Sequence, residues 1–386
     1  MTDRLLTEAS RQLFRRQADD RFADLSSLVR AARERRHASR EFAEVPPSAL
    51  IFRARENDSE HPIRLTVDHS TTRELPELRL SHYALTQLCG TARAPQELLQ
   101  RLPPRTIARV LNESIRSPRC SLSDRALLVN SDTSTLRALT SNRYARVWDD
   151  DVFSQVDRWL APVGFSPAVP TFNFSGDRPR DIFGDDRPAL WSGDRDSFAF
   201  FYSEPDPGSQ DFGGLRRGVY VGNSEVGAAA LHFSTFLFRD MCANFLIWGA
   251  SQVKRRKARH VGDSARIFRV YCRELQRLAT ESQPANLDVI GKAARTAFVG
   301  NGTLDDETVA KAIDRLAKEF SVTRGLAQRA VDSAALPQNA AQTGDPALSH
   351  WTIASGLTWA ARDTDHAADL VTVGAVAERI IVRGAR

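Results

Sequence analysis

The sequence predicts an α+β fold: a central, mostly antiparallel and curved sheet flanked by helices, with a helical N-terminal arm and a helical C-terminal region. Three observations carry this. Apolar residues recur at helical spacing towards both ends of the chain, strand-like runs gather in its middle, and no regular strand–helix–strand alternation is present. The 386 residues suffice for a sizeable core, in one large domain or two to three ordinary ones. The pattern divides the chain into a basic helical arm over 1–45, a central α+β core over 46–262 and a helical region over 263–386.

In the arm, Leu5, Leu6, Leu13 and Phe14, then Phe22, Leu25, Leu28 and Val29, recur at helical spacing. Arg15, Arg16, Arg30, Arg33, Arg35, Arg36 and Arg40 lie between and after them, so residues 1–42 read as a basic amphipathic helix that Pro46-Pro47 stops. Its arginines serve either as a solvated face or as phosphate contacts. "IRLTVDH" (Ile63 to His69) alternates as a strand does, and residues 81–116 form short helices broken at Pro95 and Pro103-Pro104. "RALLVNS" (from Arg125) and "TLRALTSNRYARV" (Thr135 to Val147) read as strands joined by a turn at Asp132-Thr133. Asp149 to Asp151 then fit a helix N-terminus, where carboxylates meet free N–H groups, with a metal cluster as the alternative.

Residues 173–196 are rich in Asp, Arg, Gly and Pro and read as an insertion loop. "SFAFFYSE" and "RRGVYVGNSEVGAAALHFSTFLF" return to strands. Beyond Gly262 the chain is helical, including "ETVAKAIDRLAKEF" preceded by capping residues Thr303 and Asp305-Asp306, with "PQNAAQTGDPALSH" as a linker.

Composition excludes several classes. With 42% hydrophobic and 26% charged residues the chain is an ordinary soluble globular one. It lacks a run of about 18 apolar residues, and "MTDRLLTEASRQLFRRQADD" has no apolar signal region. A cytoplasmic protein without membrane contact is expected. Cys89, Cys120, Cys242 and Cys272 form no CxxC pair and are expected as buried free thiols. No phosphate-loop, dinucleotide, zinc-protease, serine-hydrolase or calcium-loop motif is present, and no two histidines stand at i, i+4. No cofactor, metal or catalytic residue is assigned.

What remains is positive charge. Net charge is +5 with a pI near 9.2, and only five of the 53 basic residues are lysine. Arginine forks suit phosphate. Three clusters combine cations with groups that meet nucleic acids: Arg137, Arg143, Tyr144 and Arg146 with Trp148 nearby; Arg216 and Arg217 at a strand start; and Lys254, Arg255, Arg256, Lys257, Arg259 and His260. In an unbulged strand Arg137 and Arg143 share one face and Tyr144 and Arg146 the other; the competing reading is a strand-to-helix corner with Tyr144 in the core. The apolar stretch Val221 to Gly249 precedes the densest cationic run, an arrangement that anchors charge to a rigid sheet.

The segments "LRALTSNRYARVWDDDVF", "GNSEVGAAAL", "FRDMCANFLIWG" and "RHVG", with the distal "HWTIASGLTWAARD", resemble in order the motifs of the phage/plasmid-like protein family, domain of unknown function 932. The resemblance spans about residues 80–380; Phe245 stands where the family has Gly in its "CxNG" segment. It implies a mobile-element context and fixes no activity. More remotely, the strand–strand–"RY"–helix segment looks like single-strand annealing recombinases, which implies DNA as partner, single strands favoured, and assembly into a homo-oligomeric ring or filament. Within the motifs, Asn223, Ser224, Glu225 and Gly227 read either as a sheet corner or as a ligand-contacting segment. Glu225 is expected to pair with an arginine. His260 either contacts phosphate or packs beneath the segment. The expectation is a single-stranded-DNA-binding or annealing protein of recombination or replication. A metal-dependent enzyme on nucleic acid and a structural or regulatory protein with an acidic partner are the rivals.

Overall fold

The computed structural model describes residues 19–55, 58, 61–68, 75–99, 101–117, 123–168, 171–172, 180–181, 188, 190–205, 215–239, 255–281, 287–336, 345–361 and 367–386. The protein is α+β, with antiparallel sheets and helices on both sides of them in sequence.

The described chain opens with β1 (Asp20–Arg21), α1 (Leu25–His37) and β2 (Ser39–Val45). Asp24 caps α1, its Oδ1 accepting the Ser27 amide at 2.6 Å, which satisfies one free N–H of the first turn. Leu25, Leu28 and Ala32 are buried, and Arg35, Arg36 and His37 occupy the last turn, where cations offset the negative end of the helix. The sequence predicts this helix through residue 42. It ends at His37 instead, because no residue beyond Ala32 continues the buried face, and residues 39–45 gain a hydrogen-bonded ladder along a neighbouring strand. The first half of the predicted arm lies outside the described residues.

β3 (Leu50–Ala54) and β4 (Ile63–Val67) pair antiparallel, with Ile63, Leu65 and Val67 alternating inward as predicted. After β5 (Arg79–Leu80) come α2 (His82–Thr91), α3 (Gln96–Leu99) and α4 (Pro104–Arg116), divided at the prolines that the sequence marks as breaks. β6 (Arg125–Asn130) and β7 (Thr135–Ser141) follow; in the turn between them Asn130 Oδ1 accepts the amides of Asp132 and Thr133 at 3.0 and 3.1 Å. The order of this first sheet is β2-β6-β7-β5, antiparallel except for β5 against β7. Leu50, Leu65, Leu88, Leu111, Leu127 and Leu136 belong to its core.

Next come α5 (Asp149–Leu160), β8 (Ser166–Pro167), β9 (Thr171–Phe172), β10 (Arg180–Asp181), β11 (Leu190–Ser192), β12 (Ser197–Pro205), β13 (Leu215–Asn223), β14 (Leu231–Arg239), β15 (Arg255–Ala258) and α6 (Ser264–Glu281). β9 and β10 pair with each other. The second sheet runs β1-β11-β12-β13-β14-β15, with β8 also on β12, all antiparallel. The predicted loop 173–196 therefore contains a sheet strand, since Leu190 and Trp191 pair with Ala199 and Phe198. Most of the remaining loop lies outside the described residues.

Helices α1, α5 and α6 share one core with this second sheet: Leu28, Phe153, Val156, Phe201, Phe233 and Leu275 are among its members. A boundary at 263 groups α6 with the C-terminal helices, whereas Ile267, Phe268, Tyr271 and Leu275 turn it onto the sheet. α7 (Leu287–Arg295), α8 (Asp306–Glu319), α9 (Arg324–Ala334), α10 (His350–Ala360) and α11 (Ala367–Gly384) bury a core of their own, including Phe298, Leu316, Trp351 and Ile380. Asp305 caps α8 through the Thr308 amide at 2.8 Å, as the sequence predicts. Among the described residues no helix is long and apolar enough to cross a membrane.

α10 is buried from His350 to Thr358, and Gly356 lets it approach α9: a Cβ there would meet Ala330 O and, at 2.7 Å, Ala334 N. Gly90, in α2, has open space instead. Gly356→Ala is expected to destabilise by at least the 1–3 kcal/mol typical of overpacking, about as backbone atoms must move. Gly90→Ala should be neutral or stabilising by up to about 1 kcal/mol. Urea midpoints of the two variants test the pair, and a harmless Gly356→Ala would contradict the close helix contact.

Candidate nucleic-acid interface

A seam of paired charges joins the two sheets. At its centre is Glu225, whose side chain is 1% exposed, in the corner between β13 and β14. Gly227 makes that corner with φ +91°, a conformation side-chain-bearing residues resist. Glu225 Oε2 accepts Arg137 Nη2 at 2.6 Å and lies 3.5 Å from Arg35 Nε, while Oε1 accepts the Asp149 amide at 3.1 Å. Arg137 is the extra residue of a bulge, since Leu128 pairs with Ala138 and Val129 with Leu136. Its second arm donates to Ser39 Oγ at 2.8 Å.

Arg35, from the last turn of α1, donates to Ser192 Oγ at 2.7 Å and Asp149 Oδ2 at 3.0 Å. Asp149 also accepts Ser197 Oγ at 2.6 Å and Asn223 Nδ2 at 2.7 Å. Arg146 donates to the Glu225 carbonyl and to Glu41 at 3.2 Å. Arg36 pairs with Asp150 at 3.1 Å and Asp151 at 3.2 Å, and Trp148 receives the guanidinium groups of both Arg36 and Arg146 on its ring. Two helices and two sheets are thus tied through five carboxylates and four arginines.

Burial raises the Asp149 pKa to about 7, aided by the charge of Glu225 and opposed by Arg35. Burial also pushes Glu225 upward, but Arg35 and Arg137 outweigh it and hold that carboxyl below its ordinary value. Glu225 therefore keeps its charge while Asp149 is the member that takes a proton as pH falls. Desolvation in turn lowers Arg137, with Glu225 opposing.

The structure sorts the predicted nucleic-acid residues into two groups. Arg137 and Arg146 are held inside by Glu225 and Glu41, their side chains 12% and 3% exposed. Tyr144 donates its hydroxyl to Ser224 O at 2.7 Å and stacks on His260 with centroids 5.1 Å apart. His260 is buried, its Nδ1 donating to Ala145 O at 3.1 Å, and burial lowers its pKa. These four side chains are occupied within the protein, which corrects their reading as ligand contacts. The expected shared face of Arg137 and Arg143 is corrected too: β7 ends at Ser141, so Arg143 sits in the following turn.

Arg143 and Arg259 are exposed, and their side chains make no ion pair or hydrogen bond among the described residues. The backbone segments that carry them pair across distant sequence. Tyr144 bridges Val261, and the Ala145 amide donates to His260 O at 3.0 Å, so each arginine flanks the Tyr144–His260 stack along the chain. Arg255, Arg256 and Lys257 lie on β15, the last strand of the second sheet, opposite Ser234, Phe233 and His232. Lys254 lies outside the described residues. Arg216 lies over the Tyr202 ring, 3.3 Å from Ser203 O and 3.6 Å from Glu204, and Arg217 is half-buried on β13.

Asp149 to Asp151 begin α5, as predicted, but face arginines rather than one another's oxygens. Among the described residues no group of three His, Cys, Asp or Glu side chains is placed to hold a metal. Cys89 is a buried free thiol that burial pushes up to about 11, Cys272 is half-buried, and Cys120 and Cys242 lie outside the described residues. The sequence reading missed Arg35, Glu41, Ser192, Ser197 and Asn223 as members of one network. The signals for it were the arginine-rich end of the first helix and the expectation that Glu225 pairs with an arginine. Compared with protein-family models, with curated proteins and with solved structures, the chain gives no match.

Glu225→Leu leaves Arg137 buried and unpaired and is expected to destabilise by about 3–5 kcal/mol, whereas Glu225→Leu with Arg137→Met should lose clearly less than the sum of the single changes. Denaturant titration of the four-protein cycle measures it, and strict additivity would contradict the pairing. The raised Asp149 pKa has a definite sign. Between an unfolded value near 3.9 and about 7 the native state holds the extra proton, so this group makes stability fall as pH rises through that window. Asp149→Asn should flatten the dependence between pH 4 and 7, by about the contribution of one proton, in urea titrations across that range.

Proposed function

We propose that the protein binds single-stranded nucleic acid through a cationic surface that starts at Arg143 and Arg259 and includes the β15 run Arg255–Lys257. The observation that carries the reading is the pairing of the Tyr144 and Val261 segments, which puts on adjoining segments two exposed arginines from distant sequence that have no partner among the described residues. Acids neutralise the interior arginines, so the outward-facing ones are those able to meet phosphates. A pI near 9.2 and the motif resemblance to the phage/plasmid-like family support the same reading. The analogy to annealing recombinases adds assembly on the strand as a ring or filament to this proposal. Attraction through the phosphate backbone makes a sequence-tolerant binder.

Affinity for a labelled oligo(dT) should fall linearly with salt on logarithmic axes, with a slope of about −0.7 per phosphate engaged. Arg255→Glu/Arg256→Glu/Lys257→Glu and Arg143→Gln/Arg259→Gln should each weaken binding and flatten that slope, with far-ultraviolet circular dichroism unchanged. Fluorescence anisotropy at two salt concentrations measures both. Unaltered binding by both variants would remove this surface from the account.

A further inference from the structure

Helix α6 follows the basic strand and its turn directly, and its outer face carries arginines at a regular interval. Arg266, Arg269, Arg273 and Arg277 are all exposed, three and then four residues apart, while Ile267, Phe268, Tyr271 and Leu275 turn the opposite face onto the sheet. At 1.5 Å per residue the row is about 16 Å long. The side chains of Arg266, Arg269 and Arg273 make no ion pair or hydrogen bond among the described residues.

Other surface helices show what an ordinary solvated face looks like in this protein. On α8, Lys311 pairs with Glu307, Arg315 with Glu319 and Lys318 with Asp314, each four residues away; on α4, Arg109 pairs with Glu113. Within α6 no acid stands three or four residues from Arg266, Arg269 or Arg273, whereas Arg277 has Glu274 three residues before it and Glu281 four after it. Asp263 is used as a cap, its Oδ1 accepting the amides of Ala265 and Arg266, and Glu274 is half-buried on the flank. Like charges three and four residues apart oppose helix formation. A row of them held by an apolar inner face is a surface preorganised for an extended polyanion, not one tuned for the free protein.

We infer that the arginine row on α6 is a phosphate-contacting rail for a nucleic-acid strand, continuing the surface formed by Arg143, Arg259 and β15. This inference rests on the proposed function and extends it to residues that no contiguous charge run reveals. A membrane fits the row less well: among the described side chains Val270 is the exposed large apolar one between these arginines, while Phe268 and Leu275 pack inward on the sheet.

The test compares the full-length protein with Arg266→Gln/Arg269→Gln/Arg273→Gln and with Arg101→Gln/Arg116→Gln/Arg329→Gln, which removes equal charge from exposed positions elsewhere. With labelled oligo(dT), the α6 variant should lose about 2 units of salt slope, from three phosphates at about 0.7 each, and the control should keep its slope. Oligo(dT) should raise the Tm of the wild type and the control more than that of the α6 variant. Equal losses in both variants overturn the rail and leave nucleic-acid binding standing. Failure of the wild type to bind oligo(dT) at low salt overturns both. Binding to phosphatidylserine vesicles in place of oligo(dT) also overturns the rail. Should the α6 variant fold poorly, phenylglyoxal modification of the wild type decides: oligo(dT) should protect Arg266, Arg269 and Arg273, and unchanged modification of them overturns the inference.

Discussion

The charge of Glu225, buried at a sheet corner, is the constraint around which the rest is arranged. An ionised carboxylate taken out of water is costly unless it is paired and fully hydrogen-bonded. Arg137, Arg35 and the Asp149 amide meet that need, and each requires something of the backbone. Arg137 requires the bulge in β7, Arg35 requires α1 to end against the second sheet, and the Asp149 amide requires α5 to start at the seam. One buried charge thereby sets the register of a strand, the position of two helices and the meeting of two sheets. Buried pairs of this kind add little net stability over apolar ones, whereas removing one partner is costly.

The same network explains why positive charge divides into two populations. Arginines that project into the seam find carboxylates there: Arg35, Arg36, Arg137 and Arg146 are all engaged. Arg143, Arg259, Arg266, Arg269 and Arg273 lie outward and make no ion pair among the described residues.

Much of the architecture was legible beforehand because it depends on local spacing. The alternation of Ile63–Val67, the proline breaks at Pro95 and Pro103, the turn at Asn130–Thr133 and the cap before α8 all follow from interactions within a few residues. The errors arose where a distant partner decided the outcome. Residues 39–45 pair with β6 rather than extend α1, Leu190–Ser192 joins β12 from within an Asp- and Gly-rich segment, and α6 belongs to the sheet because of Phe233 and its neighbours.

The candidate surface divides in the same way. Composition and periodicity alone established an α+β protein, basic and arginine-rich, without a recognisable catalytic motif, with cations gathered near residues 137–146, 216–217 and 254–260. The expectation that Glu225 pairs with an arginine came from the motif resemblance and its place beside a cationic segment. Only the tertiary structure decided which cations face out, since Arg137, Arg143 and Arg146 share one short segment and differ only in what the fold places beside them. Charge is a property of the residue, but its availability depends on whether an opposite charge from elsewhere in the chain lies within about 4 Å, and that distance is set by packing.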